Sequence, residues 1–246
     1  MKRIDRHKLK QNEFANTMAH ARDAIEKRRR DIVTMVVVVG VLLAVVAGYL
    51  WWKGSRDAKA NEMLAGALAI YEAPVVPIPE PAPGSPLPVQ QPGTYPTETA
   101  KLEAALPKLL EAAEAYPNTD AGIAARYTAA SILARLGRHA EAETRYQEVV
   151  SRAGTSIYAR TGRLGLADVQ VAQGKYDSAI TIYTEMSRDP NSQIPADGVL
   201  MQLGKAYARA GRSEEAAGAF NRVINDFPQS LYMADARREL ATIKKS

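Results

Sequence analysis

The residue types that most often do chemistry in proteins are scarce in this chain of 246 residues. Cysteine is absent, which excludes disulfides, zinc–thiolate sites and cysteine nucleophiles. Histidine occurs three times, at His7, His20 and His139. Because no two of these histidines share a close helical spacing, the sequence predicts no histidine-based metal site.

Carboxylates occur in pairs that could act as general acid and base, at Glu214-Glu215 and at Glu141 with Glu143. Both pairs lie where a helix is expected to begin, and a negative charge stabilises a helix N-terminus without any catalytic role. The chain contains neither a glycine-rich phosphate loop followed by lysine nor a G-x-S-x-G nucleophile motif. The sequence therefore predicts a protein that is not an enzyme and that binds no cofactor or metal.

The net charge of +5 lies in the N-terminal arm, residues 1–31. The arm carries ten Lys or Arg and five Asp or Glu, whereas the chain from Lys53 onward carries 22 residues of each sign. A nucleic-acid-binding protein normally carries its basic excess on the folded domain. We therefore expect no nucleic-acid partner. We expect the arm to lie against acidic lipid headgroups, with docking on a partner or fraying in water as the alternatives.

Residues 32–52 form a run of 21 residues without a charge, IVTMVVVVGVLLAVVAGYLWW. As a helix rising about 1.5 Å per residue the run is about 31 Å long, which matches a hydrocarbon core of about 30 Å. It is longer than the apolar core of a cleaved signal peptide, and an aromatic belt ends it. The run predicts a transmembrane helix, and the excess of Lys and Arg before it predicts a cytoplasmic N-terminus.

Small residues recur on one face of the predicted membrane helix, at Gly40, Ala44 and Gly48. This spacing lets a second transmembrane helix approach closely, so the span could pack in a homodimer. A valine-rich span also carries scattered glycines by chance, and the pattern alone does not choose between these explanations.

A proline-rich segment divides the chain that follows the span. Residues 53–72 predict a juxtamembrane helix, and residues 73–96 contain nine of the 14 prolines. Such a segment is extended and solvated because it cannot form a helix or a central strand. We interpret it as a spacer or surface loop, with a ligand for SH3-type domains as the alternative. A helix bent at Pro107 is expected over residues 97–116, at the start of a repeat domain of residues 97–246.

Three segments of the repeat domain align without a gap. They begin at Gly137, Gly174 and Gly211, which are 37 residues apart both times. Each glycine is expected to end one helix in a left-handed conformation, and the alanine five positions later lets the next helix pack closely. An aromatic ring nine positions after each glycine fills the space between the two helices. The aromatic residues are Tyr146, Tyr183 and Phe220.

These residues resemble the tetratricopeptide repeat, a helical hairpin that stacks into an α-solenoid. The third unit matches best, with Gly204 and Tyr207 on its first helix, whereas Arg126 in the first unit stands where a large aromatic residue is usual. The period of 37 residues exceeds the usual value of about 34, which we assign to longer loops. The resemblance implies a solenoid of tetratricopeptide-like hairpins. With the transmembrane helix that residues 32–52 predict, the expected fold is all-α, one membrane span followed by this solenoid. A proline-rich loop interrupts this solenoid, and a capping helix over residues 231–243 closes it.

The resemblance also implies a concave groove lined by the first helix of each hairpin. Laying the repeat on this chain places nine residues there, and their mixture of apolar and charged side chains suits an extended or helical peptide. These candidate groove residues are Tyr127, Ser131, Arg135, Leu164, Asp168, Val171, Met201, Lys205 and Arg209.

The order of the segments narrows the resemblance. A short basic arm, one uncleaved span and a helical-repeat domain are similar to the ancillary subunit of the Sec translocon and to a related periplasmic cell-division coordinator. This resemblance implies a single-pass protein of the bacterial inner membrane, with a periplasmic repeat domain. It implies a non-enzymatic, chaperone-like scaffold in protein export, with translocon subunits or periplasmic chaperones as partners. A structural organiser of envelope or cell-division complexes is the alternative.

Overall fold

The computed structural model of the chain describes residues 29–79, 89–190 and 192–243, so most of the basic arm lies outside the described residues. Within these ranges the fold is all-helical, as predicted. The helices are α1 (Arg29–Tyr71), α2 (Glu98–Ala115), α3 (Asp120–Arg135), α4 (His139–Arg152), α5 (Ile157–Ala172), α6 (Tyr176–Arg188), α7 (Ala196–Arg209), α8 (Ser213–Asp226) and α9 (Met233–Ile243). The chain divides into two compact units, one that ends at Ser55 and one that begins at Arg56.

The first unit holds the apolar part of α1. Its large side chains are exposed, with Leu43 at 64% and Trp51 at 77%, and the helix is long and apolar enough to cross a membrane. Helix α1 continues past residue 52, where the sequence predicts a boundary between two segments. Gly54 alone disfavours a helix there, and one glycine costs only about 1 kcal/mol, which does not end a helix.

The second unit opens with a hairpin formed by the C-terminal part of α1 and α2. Ala67 of α1 is buried in the same core cluster as Leu102 and Leu109 of α2. Helix α2 begins at Glu98 because the Thr97 side chain accepts a hydrogen bond from the backbone N–H of Ala100, at 3.1 Å.

The proline-rich segment connects these two helices, and its described ends lie side by side. The backbone N–H of Val76 donates to the carbonyl oxygen of Tyr95 at 2.8 Å, and the N–H of Tyr95 donates to that of Pro74 at 3.0 Å. The Gln90 side chain donates a further hydrogen bond to the Val76 carbonyl, at 3.2 Å. The described ends of the segment therefore meet at the base of the hairpin, and residues 80–88 lie outside the described residues.

Three further hairpins follow, α3 with α4, α5 with α6 and α7 with α8. The turn in each hairpin contains one of the three aligned glycines, with a positive φ of 75° or 76°, as predicted. The next residue donates a backbone hydrogen bond back into the first helix, for example from Arg138 to the Leu133 carbonyl at 2.9 Å. This is the Schellman motif. It requires one residue in the left-handed conformation, which glycine adopts without strain.

Small and aromatic residues fill the hairpin cores as the alignment predicts. The three alanines Ala142, Ala179 and Ala216 are completely buried, each at 0% exposure. The aromatic rings that follow them are also buried, with Tyr183 at 1% and Phe220 at 0%. Helix α9 caps the stack through buried Ala236 and leaves Arg237 and Arg238 exposed.

Candidate functional site

Four of the nine predicted groove residues line one cavity between α5 and α7, with a volume of about 190 Å³. Its lining residues are Asp168 and Val171 of α5, Tyr183 of α6, and Gln202, Lys205, Ala206 and Arg209 of α7. Spacings of three and four residues place Gln202, Lys205 and Arg209 on one face of α7. We call this space the polar cavity.

One side of the polar cavity holds a carboxylate that is hydrogen-bonded to a phenol. The Tyr183 hydroxyl donates a hydrogen bond to the Asp168 carboxylate at 2.5 Å. Burial raises the pKa of Asp168, and the bond from Tyr183 partly opposes that rise. Asp168 as a whole residue is exposed, while its Oδ1 lies against the Tyr183 hydroxyl. Burial likewise raises the pKa of Tyr183, and the negative charge of Asp168 raises it further.

The polar cavity contains two cations, Lys205 and Arg209. Neither Lys205 nor Arg209 forms a side-chain hydrogen bond or an ion pair with any residue that the structure describes. Lys205 occupies the position that Asp168 holds one repeat earlier. Asp168 accepts a hydrogen bond from the Tyr183 hydroxyl. The corresponding ring in the third aligned hairpin, α7 with α8, is Phe220, which has no hydroxyl. The third hairpin therefore offers Lys205 no equivalent internal partner.

A second cavity of about 390 Å³ adjoins the first, and Gln202 lines both. Its apolar lining includes Leu164 of α5, Val199 of α7, and Leu231 and Tyr232 before α9. Leu231 is 94% exposed and Tyr232 is 41% exposed, so large apolar side chains border an open space. We call this space the apolar cavity.

An acidic residue of the apolar cavity, Asp197, already has partners. Its carboxylate accepts hydrogen bonds from the Ser230 hydroxyl at 2.6 Å and from the backbone N–H of Gly198 at 2.9 Å. These bonds hold the Asp197 carboxylate against the loop before α9.

The prediction that Met201 lines the groove is wrong. Met201 is 1% exposed and packs in the core cluster shared by α7 and α8. Successive helical residues are rotated by about 100°, and the neighbouring Gln202 is the one that reaches both cavities. The repeat pattern does not predict Gln202 as a groove residue, because the corresponding position one repeat earlier is Gly165, which has no side chain.

The predicted residues of the first hairpin lie outside both cavities. The Tyr127 ring packs against Tyr146 and Tyr158, at centroid distances of 5.9 and 5.6 Å. Ser131 hydrogen-bonds to Tyr146, which lowers the pKa of that phenol, while burial dominates and raises it to about 12. Tyr127 thus packs between the α3–α4 hairpin and α5, whereas Ser131 contacts a residue of its own hairpin.

Arg135 occupies a bridging position. Its Nη2 donates to Oε1 of Glu98 at 2.8 Å, and its Nη1 donates to the Tyr71 hydroxyl at 3.3 Å. The hydrogen bond with Glu98 raises the pKa of Arg135, and hydrogen bonds from Lys101 and Arg135 lower the pKa of Glu98. Arg135 therefore connects α3 to α1 and α2, and its predicted role in peptide binding stays a prediction.

The small-residue stripe of the membrane helix has no packing partner in the described residues. Gly40, Ala44 and Gly48 are exposed on α1, and no atom lies within 4 Å of a Cβ placed on either glycine. The homodimer stays a prediction. Across residues 29–79, 89–190 and 192–243, no group of three or more His, Asp or Glu side chains could hold a metal ion.

Two family models of the tetratricopeptide repeat match the chain, at residues 122–186 and at residues 164–231. The matched span begins in α3 and extends beyond α8, so it includes the three aligned hairpins. The three aligned hairpins are therefore similar to tetratricopeptide repeats. The two cavities thus lie between α5 and α7, the first helices of two consecutive aligned hairpins.

Solved structures show the same repeat fold. A Podosopora anserina protein with nearly identical TPR-like repeats, assigned as a kinesin light chain, is 16% identical with a TM-score of 0.51. The alignment covers 59% of this chain and 78% of that chain, and a variant of the same protein gives the same values. A tetratricopeptide repeat protein from Parabacteroides merdae is 17% identical with a TM-score of 0.49, over 59% of this chain and 54% of that one. No curated protein sequence matches the chain significantly.

Proposed function

We propose that the chain is a non-enzymatic, membrane-anchored scaffold that captures a segment of a partner protein between α5 and α7. The observation that carries this proposal is the pair of adjoining cavities. They combine two cations that form no ion pair within the described residues with exposed apolar side chains. Stacked helical repeats form an extended concave surface, which suits the binding of a partner segment.

The apolar part of α1 supports the membrane anchor. Its valines and leucines are exposed along the helix, at 48% for Val39 and 64% for Leu43. Soluble monomers rarely expose a contiguous apolar surface of this length, whereas lipid would solvate it at no cost. With the basic arm on the cytoplasmic side, the repeats lie on the opposite side of a bacterial inner membrane.

Within this scaffold role, we favour an accessory, chaperone-like subunit of the export machinery. The support is the order of the segments: a basic arm, one span and then repeats. A repeat domain tethered beside an exit site meets emerging chains at a high effective concentration, so a weak groove would be sufficient. The organiser of envelope or cell-division complexes would use the same groove for a different partner.

In-cell photocrosslinking tests the proposal. A photoreactive amino acid replaces Gln202, which lines both cavities, and a matched control replaces Asn221, an exposed residue on α8. We expect crosslinks from position 202 to translocon subunits or periplasmic chaperones and none from position 221. Crosslinks to division proteins would support the organiser instead, and equal labelling from both positions would remove the groove from the proposal. Extraction of the chain by alkaline carbonate would contradict the membrane anchor.

A further inference from the structure

We propose that the two cavities bind one extended partner segment in which an acidic side chain lies three residues from a large apolar side chain. This inference rests on the proposed scaffold function and specifies the chemistry of its partner. The partner is a polypeptide, and the recognised charge is a Glu or Asp side chain within the segment.

The charge of the polar cavity selects the acidic side chain. Lys205 and Arg209 both line this cavity, and within the described residues neither has an ion pair. The acid that lines the same cavity, Asp168, already accepts a hydrogen bond from the hydroxyl of buried Tyr183. A carboxylate from a partner would therefore meet two unpaired donors, and such charge-assisted hydrogen bonds are about twice as strong as neutral ones.

The apolar cavity selects the large apolar side chain. Leu164 and Val199 form its walls, and Leu231 and Tyr232 form its open border. Leu231 is the most exposed of these side chains, at 94%, and would lose water contact if a partner side chain covered it. Removing apolar surface from water favours association, so this contact supplies affinity while the cations supply specificity.

The spacing follows from the helix that both cavities share. Val199 of the apolar cavity and Ala206 of the polar cavity are seven residues apart on α7. At about 1.5 Å per residue, this separation is roughly 10 Å. A polyproline II segment rises about 3.1 Å per residue with three residues per turn, so side chains three residues apart point the same way about 9 Å apart. Two side chains of one such segment can enter both cavities together.

Fluorescence anisotropy with the full-length chain in detergent micelles tests this inference. The probe is a fluorescein-labelled 12-residue peptide with Leu-Pro-Pro-Glu at its centre, together with the reversed order Glu-Pro-Pro-Leu. Matched peptides carry Gln in place of Glu, or one additional Pro between the two side chains. We expect one of the two orders to bind roughly tenfold more tightly than its Gln and lengthened counterparts.

Variants of the chain assign this preference to the cavities. The double substitution Lys205→Gln with Arg209→Gln should abolish the preference for Glu over Gln and leave the affinity for the Gln peptide unchanged. Arg237→Gln, at an exposed cation on α9 without an ion pair in the described residues, is the matched control and should change neither affinity. Circular dichroism verifies that each variant remains folded.

Three outcomes would overturn the inference. They are equal affinity for Glu and Gln peptides, a preference that survives the double substitution, and binding only when the carboxylate is the peptide C-terminus. If the peptides show one of these outcomes while a photoreactive residue in place of Gln202 still gives specific crosslinks, the scaffold function stands and only the proposed chemistry of the segment is rejected. Absence of both signals would reject the groove itself.

Discussion

Nη2 of Arg126 donates a hydrogen bond to the carbonyl oxygen of Ala113 at 2.9 Å, across the interface between α3 and α2. Arg126 is 3% exposed, and its Nε lies 2.8 Å from Oε2 of Glu148 on α4. Burial lowers the pKa of Arg126, and the charge of Glu148 opposes that effect. An arginine at a position where the repeat usually has an aromatic residue thus connects three helices through polar contacts.

Replacing this arginine should destabilise the repeats. Arg126→Met leaves the Ala113 carbonyl without its side-chain donor and leaves the Glu148 carboxylate with Arg145 alone. We therefore expect a loss of about 2 kcal/mol in the free energy of unfolding. Urea titration of the full-length chain in micelles, followed by circular dichroism, measures the shift. Arg237→Met serves as the control on an exposed surface, and a midpoint equal to that of the control would contradict the structural role of Arg126.

Close packing at Gly204 should make even a methyl group costly. A Cβ at this position would lie 2.5 Å from Cε1 of Phe220, a buried ring that cannot easily move. Gly204→Ala should therefore destabilise the chain by about 1–3 kcal/mol. Gly218→Ala on α8 is the matched control, because nothing lies within 4 Å of its Cβ and alanine favours the helix by about 1 kcal/mol. The two thermal midpoints should move in opposite directions.

Acid should weaken the contact between the first and second aligned hairpins. Burial alone would raise the pKa of Glu143, but hydrogen bonds from Lys175, Gln173 and Gln170 bring it below its usual value. The closest of these, from Nζ of Lys175, is 2.6 Å long. A depressed carboxylate pKa stabilises the fold above the unfolded pKa of about 4.3, and the stabilisation is lost as the pH falls through the folded pKa.

The variant Glu143→Gln tests this pH dependence. It should be less stable than the parent chain at pH 7, and the difference should shrink as the pH falls below about 4. Glu214→Gln, at an exposed carboxylate without a side-chain hydrogen bond or ion pair in the described residues, is the control. Thermal midpoints from pH 3 to pH 7 provide the comparison, and a constant difference for Glu143→Gln would contradict the assignment.

The phenol of Tyr183 should control the acidity of the polar cavity. Its hydrogen bond lowers the pKa of Asp168 against the effect of burial, so Tyr183→Phe should raise the pKa of Asp168 further. The ring itself should still pack, because Phe220 is completely buried at the corresponding position of the next repeat. Titration of the Asp168 carboxyl carbon by NMR measures the shift, and a lower pKa in the variant would refute the coupling.

The chain sequence by itself determined the helical architecture of the repeats. Gly137, Gly174 and Gly211 predict the three turns because a left-handed helix end has few alternatives to glycine. The alanines and rings that follow predict the cores, since local spacing alone brings them between two consecutive helices. The composition of residues 32–52 likewise predicts a long apolar helix, which is a property of the segment and needs no tertiary contact.

The tertiary structure decided which side chains face the open cavities. Met201 and Gln202 are neighbours in sequence, yet α7 is enclosed on most sides and only the packing of α5, α8 and the loop before α9 shows which of them remains accessible. The same applies to Arg135, whose partners Glu98 and Tyr71 are distant in sequence. The repeat period predicts the structure of each hairpin. The accessibility of a side chain depends instead on which residues the neighbouring hairpins pack against it, and those contacts exist only in the assembled stack.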